Sequence, residues 1–146
     1  QTHLEKWYPL DKNDVIYSPE IQIIKDSKNK LLSQEIIDKG IISLICVAAL
    51  RRPRLKNGLY YDDDRELMFK KIESIFKIGI SQGHDTLVLG ALGCGVFLNP
   101  PNEVVKIYKK CTDLYGKYFK KIGFAILIVK SSDHENFNLF NKQYSV

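Results

Sequence analysis

The chain has 146 residues, with 22 lysines and arginines against 17 aspartates and glutamates, a net charge of +5, 45% apolar residues and nine glycines. That composition excludes a disordered, collagen-like or low-complexity polymer and suits one hydrophobic core, so residues 1–146 are expected to form a single domain. The longest nearly unbroken apolar run, Ile41 to Leu50, is about half the length of a membrane-spanning helix. Gln1 to Leu10 lacks the apolar stretch of a signal peptide. No membrane association and a cytoplasmic or nuclear location are therefore expected. Cys46, Cys94 and Cys111 are odd in number and too widely spaced for CxxC pairing, which points away from a disulfide framework and a zinc knuckle; no metal and no cofactor are expected. The positive charge is dispersed, densest at Arg51, Arg52 and Arg54 and at Lys117, Lys120 and Lys121, a pattern of solvated faces rather than of nucleic-acid binding.

In chain order, Val15 to Lys25 is β-rich but contains Pro19, which cannot donate to a ladder, so a bent or edge strand is expected. Ile41 to Leu50 predicts a strand covered on both faces. Between Asp64 and Gln82 the residues Met68, Ile72, Ile75, Phe76 and Ile80 recur at helical spacing, with Gly83 as a stop. Thr86 to Leu92 predicts another buried strand. Pro100, Pro101 and Glu103 mark the start of a helix that runs to about Phe119. Ile122 to Val129 predicts a strand and His134 to Tyr144 a short closing helix. Strands alternating with helices imply an α/β fold with a largely parallel sheet, whose ligands sit beyond the carboxyl ends of the strands.

The stretch LVLGALGCGVFLNPPNE, Leu87 to Glu103, carries most of the chemical information. A buried strand runs into Gly90, Gly93 and Gly95 and then into a helix. Such a loop brings backbone N–H groups close to an anion at the positive end of the helix dipole. The GxxGxG spacing fails the dinucleotide fingerprint, and no Lys-Ser/Thr pair completes a P-loop. From the spacing alone, a phosphate cradle and a plain strand-to-helix turn stand equal.

Taken together, LVLGALGCGVFLNPP, the segment YSPEIQIIKD, the ICVAAL strand, the Gly83-His84 pair and FAIL near the end resemble the microbial-type poly(ADP-ribose) glycohydrolase domain, a branch of the macrodomain superfamily. The resemblance runs from Trp7 to Phe140. It implies a three-layer α/β/α fold with a central, mixed, mostly parallel sheet that binds ADP-ribose and, in active members, hydrolyses ribose–ribose or ribose–protein links. Carried onto this sequence, it makes the Gly93, Cys94, Gly95 and Val96 amides the holders of the diphosphate, packs Phe97 on the distal ribose and lets Asn99 close the turn. An added side chain at Gly93 or Gly95 is expected to intrude on the diphosphate and to force an unfavourable φ.

Two departures from the family bear on activity. Active members carry, ahead of the matched part, a GGG loop and a QEE motif whose glutamate acts on the glycosidic oxygen; this sequence has neither. Its glutamates, Glu5, Glu20, Glu35, Glu66, Glu73, Glu103 and Glu135, stand singly, and chemistry at an anomeric carbon needs a carboxyl group within reach of the leaving oxygen. The chain is accordingly read as the C-terminal portion of the family domain, with Gln1 in place of an initiator methionine, and no catalytic residue is assigned. It is expected to bind ADP-ribose or an ADP-ribosylated protein. The alternatives are an active glycohydrolase completed by an N-terminal fragment, and a ligand-free interaction module. In the family an aromatic residue often ends the last strand and stacks on adenine, where this sequence has Val129 and Lys130; Phe137 is the nearest substitute. Without the N-terminal portion, the faces of Val15–Lys25 and Ile41–Leu50 are expected to be uncovered, which favours a homo-oligomer or a second polypeptide.

Other residue types that suggest chemistry have plainer readings. Cys94 is expected to be a small loop residue rather than a nucleophile, and Cys46 and Cys111 core residues. Asp62, Asp63 and Asp64 suit a helix start better than a cation. Ser132, Asp133 and His134 suit a cap better than a triad, and His84 a solvated or backbone-bonded turn. Tyr60, Tyr61, Tyr108, Tyr115, Tyr118 and Phe119 are assigned to core and interface rather than to stacking on RNA.

Overall fold

The computed structural model describes residue 12, residues 14–129 and residues 133–144. Strand β1 (Val15–Gln22) pairs antiparallel with β2 (Ile41–Val47). Their register shifts between Ser18 and Ile21, where Pro19 lacks a donor and Glu20 takes a φ of 53°; the strand bends where the proline requires it. Helix α1 (Gln34–Lys39) joins the two and buries no residue.

After β2 comes a hairpin absent from the sequence reading, β3 (Leu55–Lys56) and β4 (Leu59–Tyr60). Asn57 and Gly58, at φ 54° and 75°, form the two-residue turn that such a hairpin favours. Helix α2 (Asp62–Ser81) then leads to β5 (Thr86–Leu89), α3 (Pro101–Tyr115), a 3₁₀ turn over Gly116–Tyr118, β6 (Lys121–Phe124) and α4 (Asp133–Tyr144). β5 and β6 pair in parallel from Thr86–Lys121 to Leu89–Phe124, so β5–α3–β6 is a βαβ unit. Both strands are shorter than expected, because the last link between them is the Ala125 N–H to the Leu89 carbonyl at 2.7 Å and Leu127 and Val129 beyond it are exposed.

The core is one cluster. Met68, Ile72 and Phe76 of α2 meet Val104, Tyr108 and Cys111 of α3 over Leu87 and Leu89 of β5. Phe124, Phe140 and Tyr144 close it around Tyr108, with Phe124 and Tyr144 stacked at 4.4 Å. Along β2, Ile45 and Val47 turn to this core while Ile42, Leu44 and Cys46 are exposed. In β5 the same alternation leaves Val88 75% exposed. Helices therefore cover one face of the strands, and the other face is open among the described residues. The α/β class holds, and the sheet is interrupted between β2 and β5, which share no ladder.

That openness corrects two expectations: β2 is covered on one face rather than on both, and Cys46 is not a core residue. Cys111 is fully buried, but Cys46 is exposed, because none of the described residues packs over the side of β2 that carries it. Among the described residues no helix is long and apolar enough to cross a membrane.

Candidate functional site

Between the end of β5 at Leu89 and the start of α3 at Pro101, the chain folds into a loop held by its own backbone. The Cys94 N–H donates to Ala91 O at 3.1 Å, the Leu98 N–H to Gly95 O at 3.0 Å and the Asn99 N–H to Gly93 O at 3.0 Å. The N–H groups of Gly95, Val96 and Phe97 meet no protein acceptor among the described residues, and Val96 is 82% exposed. Three successive backbone donors just ahead of a helix N-terminus are thus left unspent, the kind of group an anion can use.

Asn99 holds this loop in place. Its side chain is 2% exposed; Nδ2 donates to Leu50 O at 2.7 Å and to Gly93 O at 3.1 Å, while Oδ1 accepts from the Tyr60 hydroxyl at 2.7 Å. One amide thus ties the loop to the segment after β2 and to the β3–β4 hairpin. All its polar groups are engaged within the protein, so its place in the site is structural.

The two loop glycines differ. Gly93 has φ +75°, and an added Cβ would lie 2.4 Å from Asn99 Nδ2 and 2.5 Å from the Ala49 Cβ. Gly95 has ordinary φ, and an added Cβ would meet nothing within 4 Å. The expectation of backbone strain is therefore correct for Gly93 and mistaken for Gly95, whose missing side chain leaves open space. Leu98 adds a second strained point at φ 56°, a conformation that costs on the order of 1–2 kcal/mol and persists only where the surroundings impose it. Next to it, the Arg52 N–H donates to Phe97 O at 2.8 Å. The exposed Arg51–Arg52 pair is thereby brought beside the glycine loop, an association invisible in the sequence because more than forty residues separate the two.

Cys94 is half-buried, and burial pushes its thiol up to about 12, the opposite of an activated nucleophile. Alkylation at pH 8 followed by mass spectrometry is expected to label Cys46 and to spare Cys94 and Cys111. Labelling of Cys94 as fast as Cys46 would show the loop to be open. His84 is half-buried and backbone-bonded, its N–H donating to Gly79 O at 2.9 Å, and its ring is engaged as well: Nε2 lies 2.9 Å from the Tyr17 hydroxyl, which donates to Ser43 Oγ at 3.1 Å. Asp62, Asp63 and Asp64 occupy the first turn of α2 without a capping bond, and Asp62 pairs with Arg65 at 2.6 Å. No cluster of three or more potential metal ligands exists among the described residues. Phe137 is half-exposed on α4 and makes no ring contact among the described residues; Lys130 and Ser132 lie outside them.

Two buried or half-buried glutamates of the helical layer are engaged structurally, Glu103 at the N-terminal end of α3 and Glu73 against its C-terminal end. Glu103, buried at the start of α3, accepts from Arg65 Nε at 2.9 Å and Lys106 Nζ at 3.2 Å. Glu73 accepts from the Tyr115 hydroxyl and from Lys77, which hold its carboxyl below the usual range.

No family model matches the chain, and no curated protein does either. Solved structures do match. The crystal structure of poly(ADP-ribose) glycohydrolase from Thermomonospora curvata superposes with a TM-score of 0.77, at 21% identity, over 98% of this chain and 52% of that one. The chain has the fold of the microbial poly(ADP-ribose) glycohydrolases. The enzyme from Deinococcus radiodurans in complex with ADP-ribose superposes with a TM-score of 0.72 at 22% identity, over 88% of this chain and 51% of that one, and its apo form gives 0.70. The chain thus spans about half the length of these glycohydrolases.

Proposed function

We propose that this chain binds the diphosphate of ADP-ribose, or of an ADP-ribosylated protein, on the Gly93–Phe97 loop, through the N–H groups of Gly95, Val96 and Phe97 and without that of Cys94, which donates to Ala91 O. The observation that carries the reading is the row of unspent N–H groups at Gly95, Val96 and Phe97, on a loop pinned by Asn99 at the carboxyl end of β5. Arg51 and Arg52 beside the loop supply the positive field a diphosphate needs. A glycohydrolase fold crystallised elsewhere with ADP-ribose supports the identity of the anion. Phe97, half-exposed at the end of this row, offers a ring to the distal ribose, and Phe137 is the candidate for adenine.

Hydrolysis needs a carboxyl group at the glycosidic oxygen. Glu103, the glutamate nearest the loop in sequence, is tied up in ion pairs, and the family's paired glutamates are absent from this sequence, so the reading gives this chain binding and orientation and assigns the acid to a second segment. Calorimetric titration with ADP-ribose beside ADP, AMP and NAD tests the reading. ADP-ribose is expected to bind, and Gly95→Val to weaken it by about thirtyfold, roughly 2 kcal/mol, with unfolding unchanged because the new side chain points into open space. Absence of heat at millimolar ADP-ribose sinks the binding reading; normal binding by the variant sinks the loop assignment.

A further inference from the structure

Asn99 is only as well placed as the residue that grips its Oδ1, and that residue stands on a weak element. Tyr60 ends β4, whose two residues pair with only Leu55 and Lys56, a ladder too short to hold its own position. The hold comes from α2 instead. Arg65 spends its guanidinium on three segments at once: Nη2 donates to Tyr60 O at 2.9 Å, Nη1 to Asp62 Oδ1 at 2.6 Å and Nε to Glu103 Oε2 at 2.9 Å. Its backbone N–H adds a bond to Tyr61 O at 2.9 Å. Glu103 is 5% exposed and lies in the first turn of α3, the helix into which the glycine loop runs. One planar group thereby fixes the end of the hairpin against the helix turn that the loop must meet.

We infer that Arg65 is a positioning residue for the glycine loop, acting through Tyr60 and Asn99 on Gly93 and on the N–H groups beyond it. The path is continuous: Arg65 to Tyr60 O, the Tyr60 hydroxyl to Asn99 Oδ1 at 2.7 Å, and Asn99 Nδ2 to Gly93 O at 3.1 Å. Burial pushes the Tyr60 hydroxyl above its ordinary range, so it stays a donor. Only a planar fork with several donors reaches three acceptors in fixed directions; an ammonium is a single point of charge. Charge alone is not what Arg65 contributes. The buried Glu103 carboxylate needs a cation, and Lys106 Nζ at 3.2 Å already supplies one, whereas among the described residues the tie to Tyr60 O comes from Arg65 alone. The inference rests on the proposed anion site for its meaning in function, but its structural half is read without any ligand.

The test is amide hydrogen exchange on Arg65→Lys, which keeps a charge beside Glu103 and loses the fork, on Tyr60→Phe and on the double variant. The N–H groups of Cys94, Leu98 and Asn99 are bonded within the loop and report its local opening. They are expected to exchange about threefold to fivefold faster in either single variant, the effect of losing one hydrogen bond, and no faster in the double variant, since both substitutions cut one path. The Asp26 and Leu32 N–H groups, bonded in the connection between β1 and α1, should keep their wild-type rates. Arg65→Gln with Glu103→Gln cuts the fork without stranding a charge and should reproduce the pattern. Unchanged loop rates beside faster exchange at buried Tyr108 would make Arg65 a stabiliser of the fold alone and overturn the inference. Additive effects of the two substitutions, or failure of both Arg65 variants to fold, would overturn it as well. Calorimetry supplies the second arm: Arg65→Lys is expected to weaken ADP-ribose by about threefold, and undiminished affinity in a chain that binds would count against the inference. If the wild-type chain binds no ADP-ribose, the proposed function fails, while the exchange pattern still decides the role of Arg65.

Discussion

Replacing Gly93 with alanine is expected to cost about 3 kcal/mol of folding stability, because a left-handed φ in a residue with a Cβ and an overpacked neighbour each cost roughly 1–3 kcal/mol. The Cβ would lie 2.4 Å from the Asn99 amide and 2.5 Å from Ala49, and neither can yield: Asn99 is held by three hydrogen bonds, and Ala49 is packed against the core. For a chain of this size the loss corresponds to a fall in melting temperature of about 10 °C. Thermal unfolding of Gly93→Ala beside Gly95→Ala is the measurement. The second variant should melt with the wild type, since its added Cβ meets nothing. If the two variants lose equal stability, the left-handed turn at Gly93 is not where the loop is constrained.

The second large effect concerns Asn99. Asn99→Leu keeps the volume but removes both Nδ2 donors and the Oδ1 acceptor, leaving Leu50 O and the buried Tyr60 hydroxyl without their partner, while Gly93 O keeps only the backbone N–H of residue 99. Orphaned buried polar groups cost about 1–3 kcal/mol each, and partial relaxation toward water brings the expected total to about 3 kcal/mol. Tyr60→Phe alone removes one bond and should cost about 1 kcal/mol. Combined with Asn99→Leu it should cost almost nothing further, because the partner is already gone. Denaturant unfolding of the four proteins closes this cycle. Strict additivity would mean that the Tyr60–Asn99 bond contributes nothing, and that the loop is held by its backbone alone.

Most of the elements were legible in local pattern. The 3.6-residue recurrence of Met68, Ile72, Ile75 and Phe76 defines α2, and Pro101 with Glu103 defines the start of α3, because propensity, capping and amphipathicity all act within a few residues. Pro19 announced the bend in β1. The β3–β4 hairpin was equally legible, in Asn57-Gly58 between Leu55-Lys56 and Leu59-Tyr60, but the basic cluster before it masked the signal. Strand lengths were overestimated at β5 and β6 because apolar runs record what a residue tolerates, whereas a ladder needs a neighbouring backbone.

What the sequence alone determined is the α/β class, the glycine loop ahead of α3 and the likeness to the glycohydrolase fold, since these rest on order and spacing along the chain. Only the tertiary structure decided which glycine is strained, that Asn99 spends its amide on three separate segments, and that Arg52 lies against Phe97. It also decided that Cys46 and Val88 face open space and that β2 and β5 share no ladder. Each of these depends on contacts between residues distant in the chain, and a backbone edge left unpaired has no side-chain signature to betray it.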